Sequence, residues 1–283
     1  MRLTLLGTGH AMTTACYNTC FALTVQGRHL LVDGGGGSGL LAQAKAAGIV
    51  WRDVDAIFCT HKHIDHLLGV IWAARAIMQD MFRGTRERDL AILAHPELAE
   101  LIARLLRELI REEEACLVGS RVHIQPLGDG EERRLLGRRT VFFDIGSDQD
   151  KQFGFAMDLK GPAPSHGPGD PEEPGRLVCL GDEPLHPAGE RYARGASLLM
   201  HEAFCLALEA ERFHPYEKRH STAREACLNA ARMQARAVLL YHTEDSCLAQ
   251  RKMRYQAEGR EVFGGAIYVP DDLESLELDE DSP

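Results

Sequence analysis

Six consecutive residues, His61-Lys62-His63-Ile64-Asp65-His66, constrain this chain more than any other feature. Three imidazoles and a carboxylate within six positions form a metal-donor cluster, and their surroundings say where it sits. Residues 54–60 read as a buried strand, and Leu67-Leu68-Gly69-Val70 opens a helical pattern. The cluster therefore falls on a strand-to-helix connection, where side chains converge above the strand end. His61 and His63, two apart on near-extended backbone, face the same way and can share one metal. Asp65 and His66 follow where the chain turns and can aim at a second. Neutral imidazole and carboxylate suit zinc, and also manganese or iron.

The bulk of the chain supports one sizeable fold. It has 283 residues, of which 45% are hydrophobic, enough for a substantial core. The first residues, Met1-Arg2-Leu3-Thr4-Leu5-Leu6-Gly7, read as a strand rather than a signal peptide. No window approaches a membrane-spanning apolar run. The eight cysteines are scattered without zinc-finger pairing and several sit in apolar runs, so a reduced, cytoplasmic protein with thiols as small core residues is expected. Net charge is −10, but residues 271–283 hold seven acidic and no basic residues. The expected organisation is a single domain over 1–270 and a solvated acidic tail over 271–283. A large nucleic-acid substrate is disfavoured by the lack of a basic surplus, although a local patch can hide in the sum.

Strands are expected at 2–6, 19–25 and 29–32, and a helix over 39–47. The four glycines 34–37 after Asp33 fit no dinucleotide fingerprint, and no GKS or GKT follows them. Close passage of backbone beneath the metal loop is expected instead, with Asp33 supporting a ligand histidine. Residues 70–118 read as mostly helical, with Leu98, Leu101, Ile102, Leu105, Leu106, Leu109 and Ile110 on one stripe, either core or dimer surface. Strands are expected again at 122–125, 139–145, 153–159, 177–180, 197–200 and 237–241. A Gly/Pro stretch at 161–171 reads as a mobile loop. Thr222-x-x-Glu225 matches a capping box, which places His220 just before a helix.

Two further donors come at strand ends. Leu180-Gly181-Asp182 delivers an aspartate past a glycine, and Leu240-Tyr241-His242 delivers a histidine. Alone, either is an ordinary strand-end polar residue. With the cluster they supply what a two-metal site needs, a bridging carboxylate and another imidazole. On Gly7-Thr8-Gly9, the His-x-His-x-Asp-His motif, Gly181-Asp182, His201-Glu202-Ala203, His220-Ser221-Thr222 and His242, the chain resembles the metallo-β-lactamase-fold hydrolases, and within them the ribonuclease Z branch. The resemblance implies an α/β fold, the αββα four-layer sandwich. It assigns His61 and His63 to one metal, Asp65, His66 and His242 to the other, and Asp182 as the bridge. Asp65 would also orient the metal-activated water. His220 would be a proton donor or oxyanion stabiliser supported by Glu202; a plainer role is to cap the Thr222 helix. His201 is expected to brace the loop.

Two departures from that pattern stand out. Family members carry a further metal-binding histidine after a strand that matches residues 141–145, where this chain has Gly146; Asp148, Asp150 or His166 are the candidate substitutes. The long protruding arm that grips tRNA is also missing, since only 35 residues separate Gly146 from Asp182. The expectation is therefore a phosphodiesterase-type zinc hydrolase, with one or two ions per chain, acting on a small phosphodiester or nucleotide. tRNA is disfavoured, a thioester or lactone is an alternative, and a metal-poor binding protein is another. A homodimer is expected.

Overall fold

The fold is described by a computed structural model over residues 1–161 and 175–278. His166, most of the Gly/Pro stretch and the last five residues of the acidic tail lie outside the described residues. The chain divides into two compact units, Arg2–Gly128 with Asp271–Leu276, and Met1 with Asp129–Pro270 and Glu277–Pro283.

The first unit contains β1 (Arg2–Gly7), β2 (Cys20–Val25), β3 (Arg28–Val32), α1 (Gly39–Ala46), β4 (Val54–Phe58), α2 (Ile64–Phe82), β5 (Leu90–Ala94), α3 (Pro96–Leu109), α4 (Glu112–Ala115) and β6 (Val122–Pro126). β1 to β3 are antiparallel, while β3, β4, β5 and β6 run parallel. Parallel strands put their carboxyl ends on one edge, and the following segments leave from there. The core beneath the helices gathers Leu31, Ile57, Val70, Ile77, Ile92 and Ile102 among others.

In the second unit follow β7 (Glu131–Leu135), β8 (Arg138–Asp144), β9 (Phe153–Asp158), β10 (Arg176–Cys179), α5 (Pro187–Ala193), β11 (Leu198–Glu202), α6 (Ala210–Phe213), α7 (Ala223–Arg232), β12 (Ala237–Tyr241), α8 (Leu248–Arg260) and β13 (Ala266–Tyr268). The sheet order is β13-β12-β11-β10-β9-β8-β7, with β10 to β13 parallel. Thr222 caps α7 in a full capping box with Glu225, as the sequence predicts. α7 and α8 bury Ala226, Cys227, Ala230 and Tyr255 against this sheet.

The structure sharpens three expectations. Residues 70–118 are mostly helical, as expected, but a strand not expected there, β5, lies between α2 and α3. Its five apolar residues are flanked by parallel neighbours on both sides, and a strand covered on both faces shows no alternation to betray it. The leucine stripe belongs to α3 and is core: Leu98, Ile102 and Leu106 are buried, and only Leu109 is well exposed. Residues 271–278, expected to begin an acidic tail, are mostly exposed but attached to the first unit. β14 (Ser275–Glu277) joins the edge of the first sheet beside β1. Asp272 accepts hydrogen bonds from Thr8 Oγ1 (2.8 Å), the Tyr17 amide (2.6 Å) and Gln43 Nε2 (3.1 Å). An acidic residue that finds several donors folds back, whatever its neighbours' charge.

Among the described residues no helix is long and apolar enough to cross a membrane. Cys20, Cys59, Cys179, Cys205 and Cys227 are buried, and no disulfide links any of the eight cysteines.

The glycine run does bring backbone against backbone. A Cβ on Gly69 of α2 would lie 1.7 Å from the Gly34 carbonyl oxygen, and one on Gly34 would lie 2.1 Å from the Val70 nitrogen. The contact is locked by Gly34 N–H to His66 O (2.8 Å) and Gly69 N–H to Gly35 O (2.9 Å). Alanine for glycine inside a helix normally stabilises by up to ~1 kcal/mol. Here Gly69→Ala should have the opposite sign, costing at least ~2 kcal/mol through overpacking, read as a lowered denaturant midpoint.

Candidate metal centre

In the first unit the donors sit at the carboxyl edge of the parallel strands. β4 ends at Phe58, and Thr60 and His61 follow. His61 is buried, His63 is exposed, and α2 begins at Ile64, so Asp65 and His66 lie in its first turn rather than on the loop. The His61 ring stands 4.5 Å from that of His63 and 4.2 Å from that of His66, centroid to centroid. His66 Nε2 is 3.5 Å from Asp65 Oδ2.

Asp33 organises this group. It follows β3 with φ 57°, a left-handed conformation that turns its carboxylate toward the next strand. Oδ1 accepts the Thr60 amide at 2.8 Å; Oδ2 accepts Thr60 Oγ1 and His66 Nδ1, each at 2.8 Å. The consequences are chemical. An ionised carboxylate only accepts, so His66 Nδ1 carries the proton and Nε2 the lone pair. Thr60 has spent its hydroxyl proton on Asp33, so its oxygen accepts from His61 Nδ1 at 2.9 Å. His61 likewise presents a lone pair at Nε2. This is the orientation that metal-binding histidines need. Asp33 thus hydrogen-bonds His66, one of the candidate ligands; Thr60 was not anticipated, and its signal is only a polar residue at the end of a buried run.

The second unit repeats the arrangement. After β10, Gly181 (φ 83°) turns the chain and Asp182 follows, buried. Tyr241 at the end of β12 donates its hydroxyl to the Gly181 carbonyl. His242 is left-handed (φ 57°), buried, and has Nε2 3.7 Å from Asp182 Oδ2. His220 donates from Nδ1 to the Asp182 carbonyl (2.9 Å) and stacks on Phe204 with centroids 5.0 Å apart. Its ring lies 4.9 Å from that of His242. Glu202 Oε2 is 3.6 Å from His220 Nδ1, while Oε1 accepts the amide and hydroxyl of Ser221, both at 2.6 Å. Burial pushes the Glu202 carboxyl well above its usual range, and the two Ser221 donors oppose that.

His201 has the bracing role expected of it. Nδ1 donates to the Glu202 carbonyl (2.7 Å) and Nε2 accepts from Asn229 (3.1 Å), while burial pushes its pKa down to about 4. Both ring nitrogens are occupied by protein.

Gly146 shows why no histidine stands there. Its φ of 83° disfavours a side chain, and a Cβ would lie 3.1 Å from the Ala188 Cβ. Around it Glu183 accepts from Ser147 (2.8 Å) and Gln152 (3.1 Å) and bonds His186 Nε2 (2.9 Å). The Glu183 hydrogen bond holds the His186 imidazole above its ordinary pKa. Asp148 pairs with Arg219 at 2.6 Å, and among the described residues neither it nor Asp150 joins the candidate metal-donor groups.

His61, Asp65 and His66 in one unit, and Asp182 and His242 in the other, are buried donors able to hold a metal ion. The donor chemistry and the fixed imidazole tautomers fit a divalent metal.

A family model described as anti-Pycsar protein Apyc1 matches residues 1–136. The chain is 28% identical over 317 residues to a ribonuclease Z of Natronomonas pharaonis, covering 98% of both proteins. It is 28% identical to one of Myxococcus xanthus, covering 94% of this chain and 96% of that one. Among solved structures, the metallo-β-lactamase-fold protein YhfI of Bacillus subtilis aligns with a TM-score of 0.74, 17% identity, and coverage of 97% and 98%. The short form of human tRNase Z aligns at 0.68, 19%, and 99% and 100%. A diphosphatase of the PhnP family aligns at 0.69, 18%, and 99% and 98%. The expectation that tRNA is disfavoured finds no support in these relatives, because the ribonuclease Z likeness runs nearly end to end. The chain has the metallo-β-lactamase fold and is similar over almost its whole length to proteins named ribonuclease Z.

Proposed function

We propose that the chain is a zinc-dependent phosphodiesterase in which His61 and His63 would hold one ion and Asp65, His66 and His242 another, with Asp182 as the carboxylate that would be shared. The observation that carries this reading is the gathering of buried imidazoles and carboxylates, with the Nδ1 atoms of His61 and His66 tied to Thr60 and Asp33. A bound divalent ion would supply Lewis-acid polarisation of the phosphoryl group and activation of water. The protein's own residues do the rest. Asp65, in the first turn of α2, orients the attacking water. His220 has Nδ1 committed to the Asp182 carbonyl, so Nε2 is the atom that carries a proton to the departing oxygen, and Phe204 fixes the ring plane. Glu202, held by Ser221, keeps the imidazole in place.

The substrate supported by the relatives is RNA, tRNA included. A small nucleotide phosphodiester is the second reading, favoured by the short span between Gly146 and Asp182, which leaves no room for a long tRNA-gripping segment. The buried, undisulfided cysteines support a reducing compartment such as the cytoplasm.

Metal-loaded protein should hydrolyse bis(p-nitrophenyl) phosphate, and incubation with a tRNA precursor and with cyclic nucleotides would rank the two substrates. No hydrolysis after addition of zinc, manganese or iron, with substoichiometric metal, would point to a binding protein instead. His63→Ala should remove metal and activity together. His220→Ala should keep the metal and lose about 10²–10⁴ in kcat, the worth of a general acid. Asp33→Asn should weaken zinc affinity about 10–100-fold in a chelator competition while the circular dichroism spectrum is kept.

A further inference from the structure

The phosphodiesterase reading leaves unused the excursion that leads the chain from β11 to His220. Residues 212–220 run Arg-Phe-His-Pro-Tyr-Glu-Lys-Arg-His, three permanent cations and two aromatic rings against the one carboxylate of Glu217, in a chain whose net charge is −10. The backbone here is fixed. His214 (φ 48°) and Arg219 (φ 63°) are both left-handed, and the His220 amide donates to the Pro215 carbonyl at 2.9 Å. Two of the side chains are already engaged: Arg219 pairs with Asp148, and His214 Nδ1 lies 3.4 Å from Glu217 Oε1.

Lys218 differs. Among the described residues no carboxylate pairs with it. Its ammonium lies over the Phe204 ring, 4.5 Å from the centroid, and His220 stacks on that same ring. An ammonium held on an aromatic ring beside the proton donor, and not neutralised, offers its charge to an incoming anion. Two residues earlier Tyr216 is 59% exposed, on a turn of 3₁₀ helix that gives it a defined direction. A cation and an exposed ring at this spacing suit a phosphate and its neighbouring base, the pairing by which single strands are held. Free phosphate would use the first and have no need of the second.

We propose that residues 212–219 form a binding surface for a single-stranded nucleotide chain adjoining His220, in which Lys218 takes a substrate phosphate and Tyr216 stacks on a base. This rests on the phosphodiesterase reading and adds a substrate-recognition element to it. The test is equilibrium binding of a short fluorescein-labelled single-stranded RNA to the full-length protein in EDTA, read by anisotropy across a salt series. Lys218→Gln should flatten the slope of log K against log salt by about 0.7, the value for one phosphate contact on a single strand, and Lys218→Arg should restore it. Tyr216→Ala should weaken binding about tenfold with the slope unchanged, and Tyr216→Phe should bind like the wild type. Arg107→Gln, on the exposed face of α3, serves as the control. An unchanged slope and affinity in Lys218→Gln, or no RNA binding by the wild type, overturns the proposal. Hydrolysis of bis(p-nitrophenyl) phosphate by the metal-loaded wild type is measured separately, and its absence would remove the phosphodiesterase reading whatever the binding result.

Discussion

The carboxylate of Asp33 is the interaction on which the first unit depends. It joins the end of β3 to the end of β4 through Thr60, and both to the first turn of α2 through His66. Holding it there requires a non-glycine residue in the left-handed region, a conformation that costs about 1–2 kcal/mol for most side chains and less for aspartate. Three hydrogen bonds to an ionised acceptor, made away from water, offset that cost. The same turn delivers Gly34 against Gly69, so the start of α2 is positioned by backbone contact as well as by the carboxylate. Structural and chemical roles are therefore inseparable here: the group that seats the helix also selects the tautomer of the histidine on it.

The second unit uses a related device. At the carboxyl ends of its parallel strands a positive φ turns the chain and exposes a donor: Gly181 before Asp182, and His242 itself. Gly146 has the same positive φ, after β8, but brings no donor. The turn is kept where the imidazole is not. That separates two requirements that coincide elsewhere in the molecule, the need to end a strand sharply and the need to present a ligand.

Much of this was legible in the sequence because local chemistry and local geometry agree. A buried strand, a histidine cluster and a helix start leave few arrangements for His61 to His66, and Thr222 with Glu225 fixes the approach to His220. What stayed hidden depends on partners distant in sequence. β5 has no periodicity because both its faces are covered. Asp272 reads as one acid among seven until Thr8, Tyr17 and Gln43 are seen to donate to it. α8 carries charge around most of its surface, so no apolar stripe marks it. Thr60, Phe204 and Ser221 owe their roles wholly to what they touch.

Gly146 is more than a lost histidine. With φ at 83° and Ala188 3.1 Å from where a Cβ would stand, a side chain restored there would meet strain and a filled space. Glu183, Ser147, Gln152 and His186 have closed around the position in a hydrogen-bonded network of their own. A side chain placed at 146 alone would have to fit beside this network. Under the proposed metal-binding reading, affinity would depend on how well the donors are oriented, because a ligand held by a hydrogen bond keeps its ring in place. Thr60 and Asp33 hold the rings of His61 and His66 in this way.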